Sequence, residues 1–180
     1  EWLIAPHLPN FLASHPNLEF IVLDRPERMN LDAREADVAL RLSPGPPEQL
    51  TGRRGMPLAF GVFGSAQYLE DLRAGRQEPS LIFFSGTQHT PDWVRFYFPK
   101  AKVPLRTYGS RSMHAMVRAG LGLAYLPCYM ADVDPDLRRL RLEIEELDWD
   151  VWVLNHPDTH MAARVRACRE FLLEALSHAE

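Results

Sequence analysis

The stretch from Ser110 to Pro127, SRSMHAMVRAGLGLAYLP, decides the fold of this chain. Met113, Met116 and Val117 recur at the three- and four-residue spacing that places side chains on one face of a helix. Gly120 follows, and glycine tolerates the left-handed conformation that ends many helices. The nearly continuous apolar run that closes at the proline is typical of a strand buried on both faces of a parallel sheet. A helix that leads directly into such a strand predicts half of a β-α-β unit.

The same alternation of strands and helices continues on both sides of this stretch. Short apolar runs bounded by Pro, Gly, Asn or Asp predict strands, whereas apolar residues at helical spacing predict helices. Together they predict an α/β protein with mainly parallel strands. The predicted strands are 18–23, 37–42, 58–65, 81–84, 103–108 and 149–154, and the predicted helices lie near 8–12, 66–72, 113–117 and 161–176.

The composition is that of an ordinary globular protein of 180 residues, with 46% hydrophobic and 24% charged residues. The formal net charge of -4 offers no electrostatic surface for nucleic acid or for an anionic membrane. The longest apolar run, 121–131, is too short to cross a bilayer, and the first residues lack the pattern of a signal peptide. Two cysteines are too few for a disulfide framework. We therefore expect a cytoplasmic protein with free thiols and no membrane partner.

The sequence contains no pattern that indicates an enzyme. It has no G-x-S-x-G, H-E-x-x-H or phosphate-binding P-loop motif. His156 and His160 are four residues apart, but Pro157 places them in a loop, and no cysteine or carboxylate pattern completes a metal site. Cys128 follows an apolar run and is expected to be a packed thiol and not a nucleophile. We predict no catalytic residue, no metal and no cofactor.

Polar residues follow several of the predicted strands, at the point where each strand ends. Open parallel sheets bind their ligands beyond the carboxyl ends of the strands. Ser110, which with Ser112 is one of two candidate helix caps, adds a helix N-terminus whose N–H groups favour a carboxylate or a phosphate. The candidate binding residues are Arg25, Arg28, Arg41, Ser43, Ser85, Gly86, Thr87, Tyr108 and Ser110.

Five phrases, spread over nearly the whole chain, carry a resemblance to a known family. Among their features are an aspartate-hydrophobic-arginine strand, a Ser-x-x-Tyr-Leu helix and an Ala-Gly-Leu-Gly to Leu-Pro turn. Because of these five phrases together, the chain resembles the effector-binding domain of LysR-type transcriptional regulators. The phrases are LPNFLASHPNLEF at 8–20, NLDAREADVALRLS at 30–43, LTGRRGMPLAFGVFGSAQYL at 50–69, MVRAGLGLAYLP at 116–127 and HPDTHMAARVRACREFL at 156–172.

The resemblance implies a fold and a binding site. The fold is α/β, with two Rossmann-like lobes joined by two crossover strands, as in periplasmic binding proteins of type 2. Carried over by position, lobe I is 1–80 plus 155–180, and lobe II is 81–154. A small effector would bind in the cleft between the lobes, on the candidate binding residues and near Leu126. The arginines favour an anionic effector, such as an aromatic or an aliphatic carboxylate.

The resemblance also implies protein and DNA partners. Members of this family form side-by-side antiparallel dimers, which would set the helix near 8–13 of one chain against the helix 113–119 of the other. A tetramer is the alternative for the full-length protein. DNA would be bound only through an N-terminal winged helix-turn-helix, which we expect to be missing here, and we expect the family's first strand to be missing or cut short ahead of Glu1. The predicted dimer residues are Leu8, Phe11, Leu12, Met113, Met116 and Val117.

Three functions fit the sequence. The leading hypothesis is the effector-sensing and dimerisation domain of a bacterial LysR-type regulator. The second is a periplasmic-type solute-binding protein with the same architecture, which a signal peptide upstream would favour. The third is an α/β enzyme acting in the same cleft, for which the sequence supplies no convincing acid, base or nucleophile.

Overall fold

The computed structural model describes residues 3–23, 35–45, 50–144, 149–159 and 161–178. The chain divides into two compact units. Unit 1 comprises 1–58 and 147–180, and unit 2 comprises 59–146. The boundaries therefore lie at 58/59 and 146/147, and not at the predicted 80/81 and 154/155.

Helices and strands alternate along much of the chain. The helices are α1 (Leu8–Ser14), α2 (Ala66–Arg73), α3 (Asp92–Tyr97), α4 (Ser110–Arg118), α5 (Cys128–Ala131) and α6 (Ala163–Ser177), with 3-10 turns at Ala5–His7 and Pro157–Thr159. The strands are β1 (Ala39–Ser43), β2 (Thr51–Pro57), β3 (Phe60–Ser65), β4 (Ser80–Phe84), β5 (Lys102–Thr107), β6 (Ala124–Pro127), β7 (Leu137–Arg139) and β8 (Asp150–Asn155).

Unit 1 is built on an antiparallel sheet of order β1-β8-β2. Its central strand β8 is the most buried, and Val153 and Leu154 are fully enclosed. Helix α6 packs on β2 and β8 with an apolar stripe that includes Leu172 and Leu176. Helix α1 joins this core through Phe11, whose ring stacks on Phe171 of α6 at a centroid distance of 4.4 Å. The sequence predicts a strand at 149–154, and both neighbours of β8 in the structure run antiparallel to it.

The segment 18–23, predicted as a strand, is not one in the structure. It leaves a turn closed by the Leu18 N–H, which donates to the carbonyl of His15, and it pairs with none of the described strands. Ile21, Val22 and Leu23 are exposed. A strand requires a neighbour that shares its backbone hydrogen bonds, and alternation in the sequence does not supply one.

Unit 2 contains an antiparallel sheet of order β6-β3-β7 and a parallel pair, β4 and β5. Leu123 connects them, because its N–H donates to Ser80 and its carbonyl accepts from Ile82. The helix and the strand predicted within 110–127 are confirmed as α4 and β6, and Gly120 ends the helix with a φ of 77°. β6 itself is antiparallel to β3, so the one described parallel pairing of the segment 110–127 is the bridge between Leu123 and Leu81.

The core of unit 2 lies on both faces of its strands. One buried cluster contains Ile82 of β4 together with Met113 and Val117 of α4. The other contains Leu81 and Phe83 of β4, with side chains from α2 and α3. Alternate residues of β4 therefore point to opposite faces, as the two-residue period of a strand requires. This arrangement also explains the unit boundary, since β3 pairs with β6 and β7, and α2 packs on β3.

Candidate functional site

The carboxyl ends of β4 and β5 bring together most of the predicted binding residues of unit 2. The strands are parallel, and Phe84 is the register partner of Thr107. The Ser85 N–H donates to the Thr107 carbonyl at 2.7 Å, so the residues that follow both strands lie side by side. Ser85, Gly86 and Thr87 are thereby placed next to Tyr108 and the start of α4.

The loop after β4 has a defined shape. The Thr87 N–H donates to the carbonyl of Phe84 at 2.9 Å, which closes a tight turn. Arg106, on the neighbouring strand, donates from Nη1 to the carbonyl of Thr87 at 2.8 Å, and its guanidinium lies 5.4 Å from the centre of the Phe83 ring. Ser85 and Thr87 are half-buried residues of this turn. Arg106 holds this loop, and the sequence did not predict its role because the β4–β5 register is needed to find it.

Helix α4 begins at this edge of the sheet. Its N-cap is Gly109, and no side chain caps the first turn, so the predicted capping role of Ser110 and Ser112 is corrected. The first N–H groups of a helix have no acceptor within the helix, and they carry a partial positive charge. Met113 makes the first helical hydrogen bond, to the carbonyl of Gly109. The start of α4 therefore offers donors to a ligand.

The other end of α4 is held by charged groups. His114 and Asp134 are both buried, and Nε2 of the histidine lies 3.1 Å from Oδ2 of the aspartate. Asp134 also accepts the N–H of Asp136 at 2.9 Å. Arg118 pairs with Asp136 at 2.7 Å, and the hydrogen bond and charge of that carboxylate raise the pKa of the guanidinium. These contacts fix α4 to the chain that precedes β7.

Leu126 does not belong to this set. Its side chain is fully buried in the core cluster beneath α4, and its register partner on β3 is Gly61. The predicted contact near Leu126 is therefore corrected, because no part of that side chain is open to a ligand.

The predicted residues of unit 1 lie on β1. Arg41 is half-buried and faces Trp152 of β8 in the register. The hydroxyl of Ser43 is already used, since it donates to the carbonyl of Gly45 at 2.6 Å, and the Ser43 carbonyl accepts from Nε1 of Trp152. Arg25 and Arg28 lie outside the described residues. The shared cleft stays a prediction.

Arg41 differs from the nearest arginine on the same face of its sheet. Arg54 of β2 also faces Trp152, but it forms an ion pair of 2.7 Å with the buried carboxylate of Asp150. Over the described ranges, no acidic side chain lies within ion-pair distance of Arg41. On the face of the sheet that carries Trp152, Arg41 is therefore available to an anion.

The predicted dimer residues divide into buried and exposed groups. Phe11, Met113 and Val117 are buried in the cores of their own units, so their prediction as interface residues is corrected. Leu8 and Met116 are half-buried, and Leu12 is 41% exposed. The helical spacing that identified these residues marks the face that packs on the same chain. The exposed face of α4 is polar or small, with Arg111, Ser112 and Ala115.

Other chemistry is limited in the part of the chain that is described. No cluster of three or more metal-ligating side chains is present there. Cys128 is buried, and burial raises the pKa of Cys168 to about 11, with Asp37 contributing, so that thiol is protonated at neutral pH. None of the helices in those ranges has the length and apolar character needed to span a membrane.

Comparison with known proteins places the chain in a family. The model of the LysR substrate binding domain matches residues 1–177. The chain belongs to this family. Among relatives of this LysR domain, a probable HTH-type transcriptional regulator LtrA of Klebsiella pneumoniae is 25% identical over 197 aligned positions, which cover 98% of this chain and 62% of that protein. An uncharacterized HTH-type transcriptional regulator of Haemophilus influenzae is 24% identical over 164 aligned positions, which cover 78% of this chain and 56% of that protein.

Solved structures show the same fold. The regulatory domain of CrgA, a LysR-type regulator from Neisseria meningitidis, superposes with a TM-score of 0.77 at 20% identity, covering 96% of this chain and 91% of that one. The effector domain of AmpR from Pseudomonas aeruginosa superposes with a TM-score of 0.73 at 19% identity, and the match covers 97% of this chain and 89% of that one. The predicted fold class, the α/β fold of type 2 periplasmic binding proteins, is thus confirmed. The LysR domain spans about three fifths of the curated relatives it matches.

Proposed function

We propose that this LysR effector-binding domain binds a small anionic metabolite and passes that event to DNA-binding segments of a longer regulator. The observation that carries the proposal is the edge formed by β4, β5 and the start of α4. The loop that carries Ser85 and Thr87 follows β4 there, and the uncapped N–H groups of α4 follow β5. Such groups stabilise a carboxylate or a phosphate by hydrogen bonds and by the helix dipole.

Arg41 of unit 1 supports an anionic ligand independently. A half-buried arginine without an acidic neighbour in the described ranges keeps its five donors available, and its planar guanidinium suits a carboxylate. Its neighbour Arg54 is neutralised by Asp150 and is expected to contribute little. The anionic character of the ligand therefore has support in both units.

Regulation of DNA is proposed from the relatives. Both curated relatives are HTH-type regulators, and the LysR domain covers 62% and 56% of their lengths. We infer that DNA is contacted by a segment outside this chain, because the chain is acidic. The domain acts by binding and not by catalysis, and its place of action is the cytoplasm. A ligand can shift the regulator only if it binds one conformation more tightly than another.

A thermal-shift screen tests the anionic ligand. The purified chain is heated with small carboxylates, with phosphates, and with matched neutral amides and amines. A ligand at 100 times its Kd adds about 2.7 kcal/mol to the free energy of unfolding, which raises the melting temperature measurably. We expect shifts with carboxylates or phosphates. Shifts confined to the amides or amines would refute the anionic class.

A pair of variants tests whether Arg41 is the cationic side chain that binds the acid. For any acid that binds, Arg41→Gln is expected to weaken affinity by about tenfold or more, since a hydrogen bond to a charged group contributes about 1.5–3 kcal/mol. The control is Arg53→Gln, an exposed arginine on the opposite face of the same sheet. Equal affinities for the two variants, measured by calorimetry, would remove Arg41 from the site.

We propose further that the domain forms a homodimer. Unit 1 carries nine arginines against 14 acidic residues, whereas unit 2 carries eleven basic residues against ten acidic ones. An antiparallel dimer would set the acidic unit 1 of one chain against unit 2 of its partner. The charges favour this arrangement over one that sets the two acidic units against each other. Unit 1 also exposes the apolar side chains of Leu12 and of Ile21 to Leu23.

Sedimentation velocity tests the dimer. Leu12→Glu is expected to shift the wild-type dimer to monomer, because it places a charge on the exposed face of α1. Val133→Glu is the control, since Val133 is an exposed apolar residue of unit 2. A monomeric wild-type chain would contradict the proposed dimer. A dimer that Leu12→Glu leaves intact would contradict the role of α1 in it.

A further inference from the structure

Phe84 breaks the burial pattern of the strand that it ends. The three residues before it in β4 are buried, whereas the Phe84 side chain is 47% exposed. A large aromatic side chain is stabilised by burial, so an exposed one at the end of a core strand indicates a surface that a ligand or another molecule can cover. The sequence does not single out Phe84, because the rule for parallel strands selects the polar residues that follow each strand.

The strand period places Phe84 beside the start of α4. Ile82, two residues earlier, packs in the cluster that contains Met113 and Val117, so α4 covers this face of β4. Phe84 points to the same face. Helix α4 follows β5 and begins at the carboxyl end of the strands, so its first turn and Phe84 occupy the same end of the same face.

The Phe84 ring is held in position by the loop that follows it. A Cβ atom on Gly86 would lie 2.9 Å from Cε1 of Phe84, so the ring packs directly on the glycine backbone. The hydrogen bonds of the Thr87 N–H and of Arg106 fix the same loop. Gly86 thus acts by leaving space for the ring, and a side chain there would have to displace it.

Tyr108 provides a second aromatic ring next to the start of α4. It lies in the short connection between β5 and α4, one residue before the N-cap Gly109, and it is 67% exposed. Two exposed aromatic residues therefore lie at the ends of the strands that lead to the α4 N-terminus and to the loop of Ser85 and Thr87. Small-molecule sites combine apolar and aromatic surface with a few placed polar groups in this way.

We infer that the anion bound at this edge carries a flat aromatic body, so that the ligand class is aromatic carboxylates and not aliphatic ones. The inference rests on the proposed function, because it specifies the ligand of the same site. The carboxylate would take the donors at the start of α4, and the ring would lie on Phe84 with Tyr108 at its edge. Ring pairs are attractive beyond the area that they bury, which an aliphatic chain of equal size does not match.

Matched pairs of acids test this inference. Benzoate is compared with cyclohexanecarboxylate, and phenylacetate with cyclohexylacetate, by calorimetry and thermal shift on the intact 180-residue chain. Each pair has the same carbon skeleton and the same charge, and differs in the flat aromatic ring. We expect each aromatic acid to bind about tenfold more tightly than its saturated partner, which is the size of effect that aromatic pairing allows.

Variants assign the preference to a residue. Phe84→Leu is expected to remove the tenfold preference, so that the aromatic acid and its saturated partner bind with equal affinity, because leucine offers an apolar surface without a ring. Gly86→Ala should reduce the preference in the same direction by displacing the ring. Phe96→Leu is the control, since Phe96 is 78% exposed on α3 of the same unit and should have no effect.

The outcomes separate the two proposals. Saturated and aromatic acids that bind equally well, or a preference that Phe84→Leu leaves intact, would refute the aromatic class while the anionic ligand stands. Binding of neither kind of acid, together with shifts for amides or amines alone, would refute the anionic ligand itself.

Discussion

The two units offer their candidate binding groups in different ways. In unit 2 the groups come from residues that directly follow two parallel strands and from the helix that begins there. In unit 1 they lie along antiparallel strands, where Arg41 and Arg54 face the same tryptophan from opposite sides. Groups gathered at a parallel edge are close in space whenever neighbouring strands end together. Groups spread across an antiparallel sheet depend on which distant strands pair.

Unit 2 depends on the packing of α4, and the largest expected effect tests this dependence. Met113→Ala removes a buried side chain from the cluster beneath the helix. We expect a loss of about 2–5 kcal/mol in the free energy of unfolding, from lost burial and the cavity that remains. Urea unfolding followed by circular dichroism measures the loss.

Met161→Ala is the matched control for that experiment, because Met161 is among the most exposed apolar residues of unit 1. Its effect should stay within about 0.5 kcal/mol. A Met113→Ala protein as stable as this control would show that α4 is not anchored by its apolar face, and the site at its start would lose its support.

The charged end of α4 is expected to contribute less than its apolar face. Asp134→Ala leaves the N–H of Asp136 without its acceptor and removes the buried carboxylate that lies beside His114. The expected loss is about 1–3 kcal/mol, which is the cost of unsatisfied buried polar groups. Asp136→Ala removes the exposed ion pair with Arg118, which solvent screens, and should cost less than Asp134→Ala. Equal losses in urea unfolding would contradict the role given to burial.

The sequence predicts the local elements of unit 2 better than the strand pairing of unit 1, for a physical reason. Local spacing in the sequence predicts helix α4 and the glycine that ends it. The residues after β4 and β5 follow from the rule that ligands bind beyond the carboxyl ends of parallel strands. By contrast, β1 pairs with β8, and the hydrogen bond between Ser43 and Trp152 joins residues 109 positions apart. No local pattern encodes that pairing, so the unit boundaries and the neighbours of Arg41 were not predictable.

Exposure was equally hard to obtain from the sequence. A helix stripe and a strand run identify apolar side chains, but they do not say which of them meet another part of the chain. Met113 was therefore predicted on an interface although it is buried, and 18–23 was predicted as a strand although it pairs with none of the described strands. Phe84 is the opposite case, since an apolar run ends in a residue that the core does not cover.

The smallest expected effect distinguishes the two arginines of unit 1. Arg54→Gln breaks the ion pair with Asp150, whose carboxylate is mostly buried while the arginine is more than half exposed. Solvent screens such a pair, so the expected loss is about 1 kcal/mol in the free energy of unfolding. Arg41→Gln removes no ion pair formed within the described ranges and should change stability by less than about 0.5 kcal/mol.

Salt dependence completes that measurement. The Arg54→Gln loss should shrink as NaCl is raised from about 0.05 to about 1 M, because the Debye length falls to about 3 Å. The Arg41→Gln value should stay near zero at every salt concentration. A larger loss for Arg41→Gln than for Arg54→Gln would mean that Arg41 has a structural partner in the folded chain, and an arginine already committed to such a partner would not be the cation that receives an anionic ligand.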